Sequence, residues 1–470
     1  MPLAYRVRFA RTGKTVSADF MANAARQESQ GRCKSRSGCQ ECKARKVKCD
    51  ETFPVCDRCR RRGAICRKPV VFSNHGFPTP WLATNSFTSV LNLLPTANKE
   101  VLKWWLHQAS HILAFEPDSN PLSFPILRHL LLSPALLHAL QSLSGAHQSY
   151  FERSCIPACL EERSKALILV KHELQYRTVP LMTSFLSVFI LGVASPWLYR
   201  EMQDDFGHAH IKGARAILEL MAEEQHTEDE SSLKLALGYY LYWDMHTAFL
   251  VPTAQVEPLD TPTMSSLVAR FKDYDHPLAG CSIALLYQLG IMGRYCRGVL
   301  DTGDHDYNYE DLIEEFLLNW QPTSLDTDVG ALSRAYQLQG LILLYRICGR
   351  PSARHLSDEV TLDLQLETDL LIQSYVKELL ESLTQTPLSK PAAIFYGLVM
   401  VTAGAELGEA DTELRAAVKQ RLKANYSCVR VTTDLWAIVL LEEVWSLRAA
   451  GIMITPLELM LQRNWMLSMA

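Results

Sequence analysis

The sequence predicts a mostly all-α protein: a small module organised by cysteines, followed by a large helical domain. Three observations predict it. From about Lys99 onward, apolar residues recur at helical spacing with few strand-like alternations. Seven of the 13 cysteines lie between Cys33 and Cys66, and six of those seven repeat a regular spacing. The composition, 48% hydrophobic and 21% charged, buries cores rather than staying disordered. A length of 470 residues allows two or three domains.

Residues 1–32 show no periodicity and read as a flexible N-terminal tail. They hold basic residues but no apolar h-region, so no secretory signal is expected. A reducing compartment follows, where clustered cysteines favour metal ligation over disulfides. The cysteine module spans 33–68. Residues 69–98, rich in Pro, Ser, Thr, Asn and Gly with Phe77-Pro78-Thr79-Pro80 near the start, read as a linker. The helical domain fills 99–470. Helices are expected over 99–114, 124–151, 158–176, 180–195, 205–224, 230–250, 280–299, 328–348, 360–384, 391–406, 410–426 and 432–449. Gly280, Gly349 and Gly451 and the prolines at 180, 196, 252, 258, 262, 277 and 387 punctuate them. No fixed-period repeat is present, so a regular solenoid is not expected.

One stretch has the length of a membrane span. No residue between Arg177 and Arg200 is charged. Thr183, Ser184, Ser187, Gly192 and Ser195 dilute its apolarity, however, and Pro196 should end or kink its helix. It is expected to be a buried core helix, and no membrane partner is expected.

Charge is unevenly shared. From Arg32 to Lys68 thirteen Lys/Arg oppose four Asp/Glu, a net of +9, so the remainder carries −13 against a whole-chain −4. A short basic module on a long acidic body points to nucleic-acid contact at one end and protein contacts elsewhere.

The cysteine spacing is Cys39-x2-Cys42-x6-Cys49-x6-Cys56-x2-Cys59-x6-Cys66, so C-x2-C-x6-C occurs twice with identical gaps. Each half offers three thiolates, whereas a tetrahedral zinc site needs four. Six thiolates serve two ions if two of them bridge. The first cysteine of each half, Cys39 and Cys56, is the candidate bridge. A disulfide framework conflicts with the missing signal, and an iron–sulfur cluster needs only four cysteines and tighter spacing. Two independent zinc sites fail on ligand number.

These residues resemble the fungal binuclear zinc-cluster transcription factors. The likeness runs from Lys34-Ser35-Arg36-Ser37-Gly38-Cys39 through Lys43-Ala44-Arg45-Lys46-Val47-Lys48-Cys49-Asp50 to Pro54, two residues before Cys56. The resemblance supports Cys39 and Cys56 as bridges. It implies one zinc ion on Cys39, Cys42, Cys49 and Cys56 and a second on Cys39, Cys56, Cys59 and Cys66. It makes Pro54 the loop proline joining the halves, and it leaves Cys33 without a metal role. It further implies a sequence-specific regulator of RNA polymerase II genes in the nucleus, acting on a metabolic or biosynthetic gene set.

Six thiolates and two zinc ions sum to −2, so the module keeps about +7, enough to attract phosphates and release condensed counterions. Its halves are unequal. Lys43 matches Arg60 and Arg45 matches Arg62, but Lys46 aligns with Gly63 and Lys48 with Ile65. Lys43, Arg45, Lys46 and Lys48 therefore cluster, by this reading around a helix start, and the first half is expected to read double-stranded DNA in the major groove. The resemblance implies that Arg45 and Lys46 contact a CGG-type triplet, partly through backbone carbonyls. Lys43, Lys48, Arg58, Arg60, Arg61 and Arg62 are expected on phosphates. The same basic runs suit nuclear import.

In the long domain, Ser133-Pro134-Ala135-Leu136-Leu137-His138, Ser144-Gly145-Ala146-His147-Gln148 and His210-Ile211-Lys212-Gly213-Ala214-Arg215-Ala216 resemble the regulatory domain found behind such clusters. The resemblance implies a module that receives a small-molecule effector or a partner such as a coregulator of the transcription machinery. No enzyme is expected. His107 and His111 sit i, i+4, but Gln108 stands where a zinc protease needs Glu. Asp204, Asp205, His208 and His210 are a further candidate metal group, weighed against a solvated helix start. Of two acidic stretches, Glu223–Glu230 reads as a solvated loop, and Asp301–Phe316 as an amphipathic helix rather than an activation segment. Residues 72–98 hold Pro78, Pro80 and Pro95 and no heptads, so monomer, homodimer through the helical domain and zipper dimer all stay open.

Overall fold

The computed structural model describes residues 39–50, 56–64, 66, 93–94, 96–116, 120–198, 206–224, 229–255, 257–322, 327–354, 361–388 and 390–469. They divide into two compact units, one ending at Cys66 and one beginning at Arg67. The first holds α1 (Gln40–Ala44) and α2 (Asp57–Arg60).

The second unit runs α3 (Lys99–His107), α4 (Leu127–Leu130), α5 (Pro134–Gln148), α6 (Ile156–Tyr176), α7 (Leu181–Val193), α8 (Ser195–Leu198), α9 (His208–Glu223) and α10 (Glu230–Thr247). It continues with α11 (Pro262–Phe271), a hairpin of β1 (Asp275–His276) and β2 (Cys281–Ser282), α12 (Ile283–Thr302), α13 (Tyr307–Asn319) and α14 (Asp328–Cys348). Last come α15 (Thr361–Gln385), α16 (Gly397–Ala405), α17 (Thr412–Val429), α18 (Thr433–Ala449) and α19 (Pro456–Arg463). Helices pack on others one or two places along the chain: α5 lies on α6, α7 on α9, α10 on α12, α12 on α14, and α17 on α18. Apolar faces from α3 through α19 form one continuous core.

The expected all-α architecture is present, with corrections at the helix ends. The 124–151 helix is interrupted before Pro134, where Ser133 caps α5 by accepting from the Leu136 N–H at 3.0 Å. Pro262 and Pro456 likewise open helices, Pro262 after a Thr261 cap and Pro456 within a Thr455–Glu458 capping box. Proline at the first helical position loses no bond, because that N–H has no intrahelical partner. Reading proline as a stop therefore missed α11 and α19. The 99–114 helix breaks at Gln108 (φ −139) into a 3-10 turn, Ala109–Leu113.

The apolar run 181–198 is 89% buried within the domain. Gly192 makes this fit possible: a Cβ there would lie 1.9 Å from the Trp243 ring of α10. Between α10 and α12, Arg294 grips Asp244 through two hydrogen bonds of 2.7 and 2.5 Å. Asp301–Phe316 includes most of α13, whose Ile313 and Leu317 are fully buried, as an amphipathic helix requires. Of Glu223–Glu230, residues 225–228 lie outside the described residues, as do Cys33, Pro54 and most of the 69–98 segment.

Candidate metal centre and nucleic-acid interface

Each half of the cysteine repeat builds the same local structure. Cys39 and Cys56 are N-caps whose sulfurs accept from the N–H groups of Cys42 and Cys59, both at 3.4 Å. Both helices also close alike. The Val47 N–H donates to the Cys42 carbonyl (3.0 Å) and the Lys46 N–H to Lys43 (3.0 Å); in the second half Ala64 donates to Cys59 (3.1 Å) and Gly63 to Arg60 (3.2 Å). This closure places one residue in the left-handed region. That residue is Lys46 (φ +57) in the first half and Gly63 (φ +62) in the second. Asp50 ties the halves together, accepting from the N–H groups of Asp57 at 2.9 Å and Arg58 at 3.3 Å. Its placement directly after Cys49 gave no sign of this capping role.

All six cysteines are buried, none more than 8% exposed, and their sulfurs converge. Cys39 and Cys56 sulfurs stand 3.8 Å apart, Cys39 and Cys59 3.7 Å, and Cys42 and Cys56 3.8 Å. A tetrahedral zinc ion with Zn–S of about 2.3 Å requires sulfurs separated by about 3.8 Å. Two overlapping groups form, Cys39/Cys42/Cys49/Cys56 and Cys39/Cys56/Cys59/Cys66, each with its sulfurs within 4.8 Å of one another. The donor set fits two zinc ions. Without a cation this crowd resists ionisation: burial pushes the Cys66 thiol up to about 12 and those of Cys42 and Cys59 higher still. Burial opposes the Cys56 thiolate too, but hydrogen bonding, led by the Cys59 N–H, brings that thiol down to about 7.

Lys43, Arg45, Lys46, Lys48, Arg58, Arg60, Arg61 and Arg62 are all exposed. The first-half cations do not surround a helix start, as the sequence suggested. Lys43 is in the last turn of α1, Arg45 is its C-cap and Lys46 and Lys48 follow, because the C-x2-C pair itself occupies the start. In the second half Arg60 pairs with Asp57 at 3.2 Å, which further weakens that half as an anion site.

Of the enzyme-like groupings, the His107–His111 pair does not form. His107 ends α3 with its ring edge-on to Phe124, while His111 lies in the following 3-10 turn, its Nε2 on the Leu106 carbonyl oxygen at 3.1 Å. His210 meets the Arg163 guanidinium, and Asp204 and Asp205 lie outside the described residues. His305, Glu310 and Cys348 do approach one another within 4.8 Å. There Tyr295 donates to Glu310 at 2.7 Å and the Arg354 guanidinium pairs with its other oxygen, so a fixed cation already matches the carboxylate.

Comparison with known proteins agrees with this geometry. Residues 37–74 match the family described as fungal Zn(2)-Cys(6) binuclear cluster domain, and 100–470 the fungal specific transcription factor domain. A Zn(2)-C6 fungal-type transcription factor, afumD, of Aspergillus fumigatus is 64% identical over 33 residues, 7% of this chain and 9% of that protein. Arginine metabolism regulation protein II of Saccharomyces cerevisiae is 38% identical over 72 residues, 13% of this chain and 8% of its own length. The sorbicillinoid biosynthetic cluster transcription factor sor3 of Hypocrea jecorina is 45% identical over 49 residues, 10% of this chain and 7% of the relative. The chain thus spans under a tenth of each of these relatives, and no solved structure matches it. With both family matches in sequence order along one chain, this protein belongs to the fungal zinc-cluster transcription factors, DNA-binding regulators whose cluster holds two zinc ions.

Proposed function

We propose that the first half of the cluster reads a CGG-type triplet in the major groove, with Arg45 and Lys46 at the bases. Lys43, Lys48, Arg58, Arg60, Arg61 and Arg62 hold the flanking phosphates. The observation that carries this reading is the pair of matched helix ends: identical closures put Lys46 in one half where Gly63 stands in the other. A side chain held in a left-handed position costs about 1 kcal/mol or more relative to Gly, so a lysine retained there has a use outside the fold. Lys46 presents a cation, and α1 presents its C-terminal carbonyls, at one exposed corner.

Cys39 and Cys56 act as the bridging ligands in this reading, Cys42 and Cys49 completing one zinc site and Cys59 and Cys66 the other. The domain order is a tail (1–32), the cluster (33–68), a linker (69–98) and the regulatory domain (99–470). The protein works in the nucleus on RNA polymerase II genes and is not an enzyme; the helical domain receives an effector or coregulator. The names of two relatives, a biosynthetic-cluster factor and a regulator of arginine metabolism, support a metabolic or biosynthetic gene set. One cluster per triplet is the binding unit, so a homodimer would occupy two triplets.

A gel-shift series across triplet variants tests the base contact. Lys46→Ala should lose about 1–3 kcal/mol at one base position, whereas Arg61→Ala should weaken all sequences alike. Uniform loss for Lys46→Ala would make it a phosphate contact and overturn the reading.

A further inference from the structure

The regulatory domain holds a cavity of about 80 Å3 between α7, α10, the hairpin and the start of α18. That is several times the roughly 10–15 Å3 one water requires. Its walls combine aliphatic side chains with six aromatic ones, Phe189, Trp197, Tyr239, Tyr242, Trp243 and Phe395.

Two polar groups in this wall have no partner. Asp434, in the first turn of α18, is 7% exposed, and its carboxyl makes no hydrogen bond or ion pair among the described residues. The Tyr239 hydroxyl is buried and equally unpartnered. The other polar wall groups with assigned bonds are committed elsewhere. Trp197 Nε1 donates to the Val429 carbonyl at 3.0 Å. His276 Nδ1 accepts from the Ala279 N–H at 3.3 Å, which leaves its Nε2 to donate to the Leu235 carbonyl at 3.1 Å. Burial holds His276 neutral, lowering it to about 3, and no Lys or Arg lines the cavity among the described residues.

A buried carboxyl without a partner is costly and rare, and it calls for an occupant. The wall specifies one. Aromatic faces attract a cation and repel an anion, a single carboxyl supplies the countercharge, and a phenol oxygen supplies one further acceptor. We propose that this cavity binds a small aliphatic ammonium ion, its charged head on Asp434 and Tyr239 and its short alkyl part against the rings. This gives a chemical class to the effector proposed above and rests on that reading only for its regulatory consequence. Burial raises the Asp434 carboxyl to about 8 in the absence of a cation, so an ammonium guest would draw out its proton on binding near neutral pH.

The test is a fluorescence titration of the full chain, since Trp197 and Trp243 report on the cavity directly. n-Propylammonium chloride is titrated at constant ionic strength, with 1-propanol as the neutral match. The expected result is a saturable change with the amine and at least about tenfold weaker response to the alcohol. Asp434→Asn should lower amine affinity by a similar factor, and Tyr239→Phe, which removes a hydroxyl that bonds to nothing, by a smaller one. No saturable change, an equal response to the alcohol, or undiminished binding by Asp434→Asn would each overturn the proposal. If Asp434→Asn fails to fold, the wild-type amine–alcohol comparison and Tyr239→Phe still decide it. Fluorescence reads the cavity and gel shift reads DNA, so failure of one leaves the other standing.

Discussion

The cluster and the regulatory domain reach a folded state by opposite routes. In the cluster the buried residues are the six cysteines themselves, and its two helices span only Gln40–Ala44 and Asp57–Arg60. Helices that short have no stability of their own. Ligation by two cations must supply what an apolar core cannot. In the regulatory domain a core running from Leu102 to Leu467 does that work, and buried charge is in part matched, as in the Asp244–Arg294 pair. Metal is therefore a folding ligand for the cluster, whereas apolar burial organises the regulatory domain.

Chelation should separate the two most sharply. Excess chelator should unfold the cluster and abolish DNA binding, while the far-UV helical signal of the regulatory domain stays nearly unchanged; parallel loss of both would break the distinction. Zinc analysis of variants sharpens it: Cys56→Ser should release both ions, Cys66→Ser only one.

The next largest effect should fall on the other region. Arg294→Met leaves Asp244, whose side chain is 2% exposed, as an uncompensated buried charge and should cost about 3–5 kcal/mol in chemical denaturation. Zinc content should not change. Within the cluster, Gly63→Lys should cost about 1–2 kcal/mol because it forces a second side chain into the left-handed region. Lys46→Gly should do the reverse, easing metal retention while lowering DNA affinity.

A further contrast is read through pH, in the buried titratable groups of the regulatory domain. Burial lowers His246 to about 4 and His276 to about 3, so the folded state refuses protons that the unfolded chain takes up below about 6.5, and stability falls as pH drops through that range. Asp434 acts oppositely. Raised to about 8, it keeps a proton that the unfolded chain releases near its ordinary 3.8, so its contribution declines as pH rises between these values. Thermal unfolding of Asp434→Asn should show a shallower decline on that alkaline side than wild type.

Much of this was legible in the chain. The repeated C-x2-C-x6-C spacing announced six converging sulfurs, and the helix over 328–348 coincides with α14. Other features were hidden for identifiable reasons. Prolines 262 and 456 start helices because a capping residue precedes each, and a proline alone does not say on which side its helix lies. His107 and His111 seemed to share a helix face until a backbone break at Gln108 separated them. Asp434 lies in a helix's first turn, a place that normally favours a carboxylate, so nothing in the sequence marks it out.

Spacing and charge by themselves determined the metal, the number of ions and the uneven distribution of basic residues between the two halves, because ligand count and side-chain charge are properties of residue type and order. Only the tertiary structure decided that the basic cluster sits at the end of α1 with Lys46 in the left-handed region, and that Asp434 is buried at the wall of an apolar cavity. Backbone hand is set by how the chain closes around the sulfurs, and burial by helices distant in sequence.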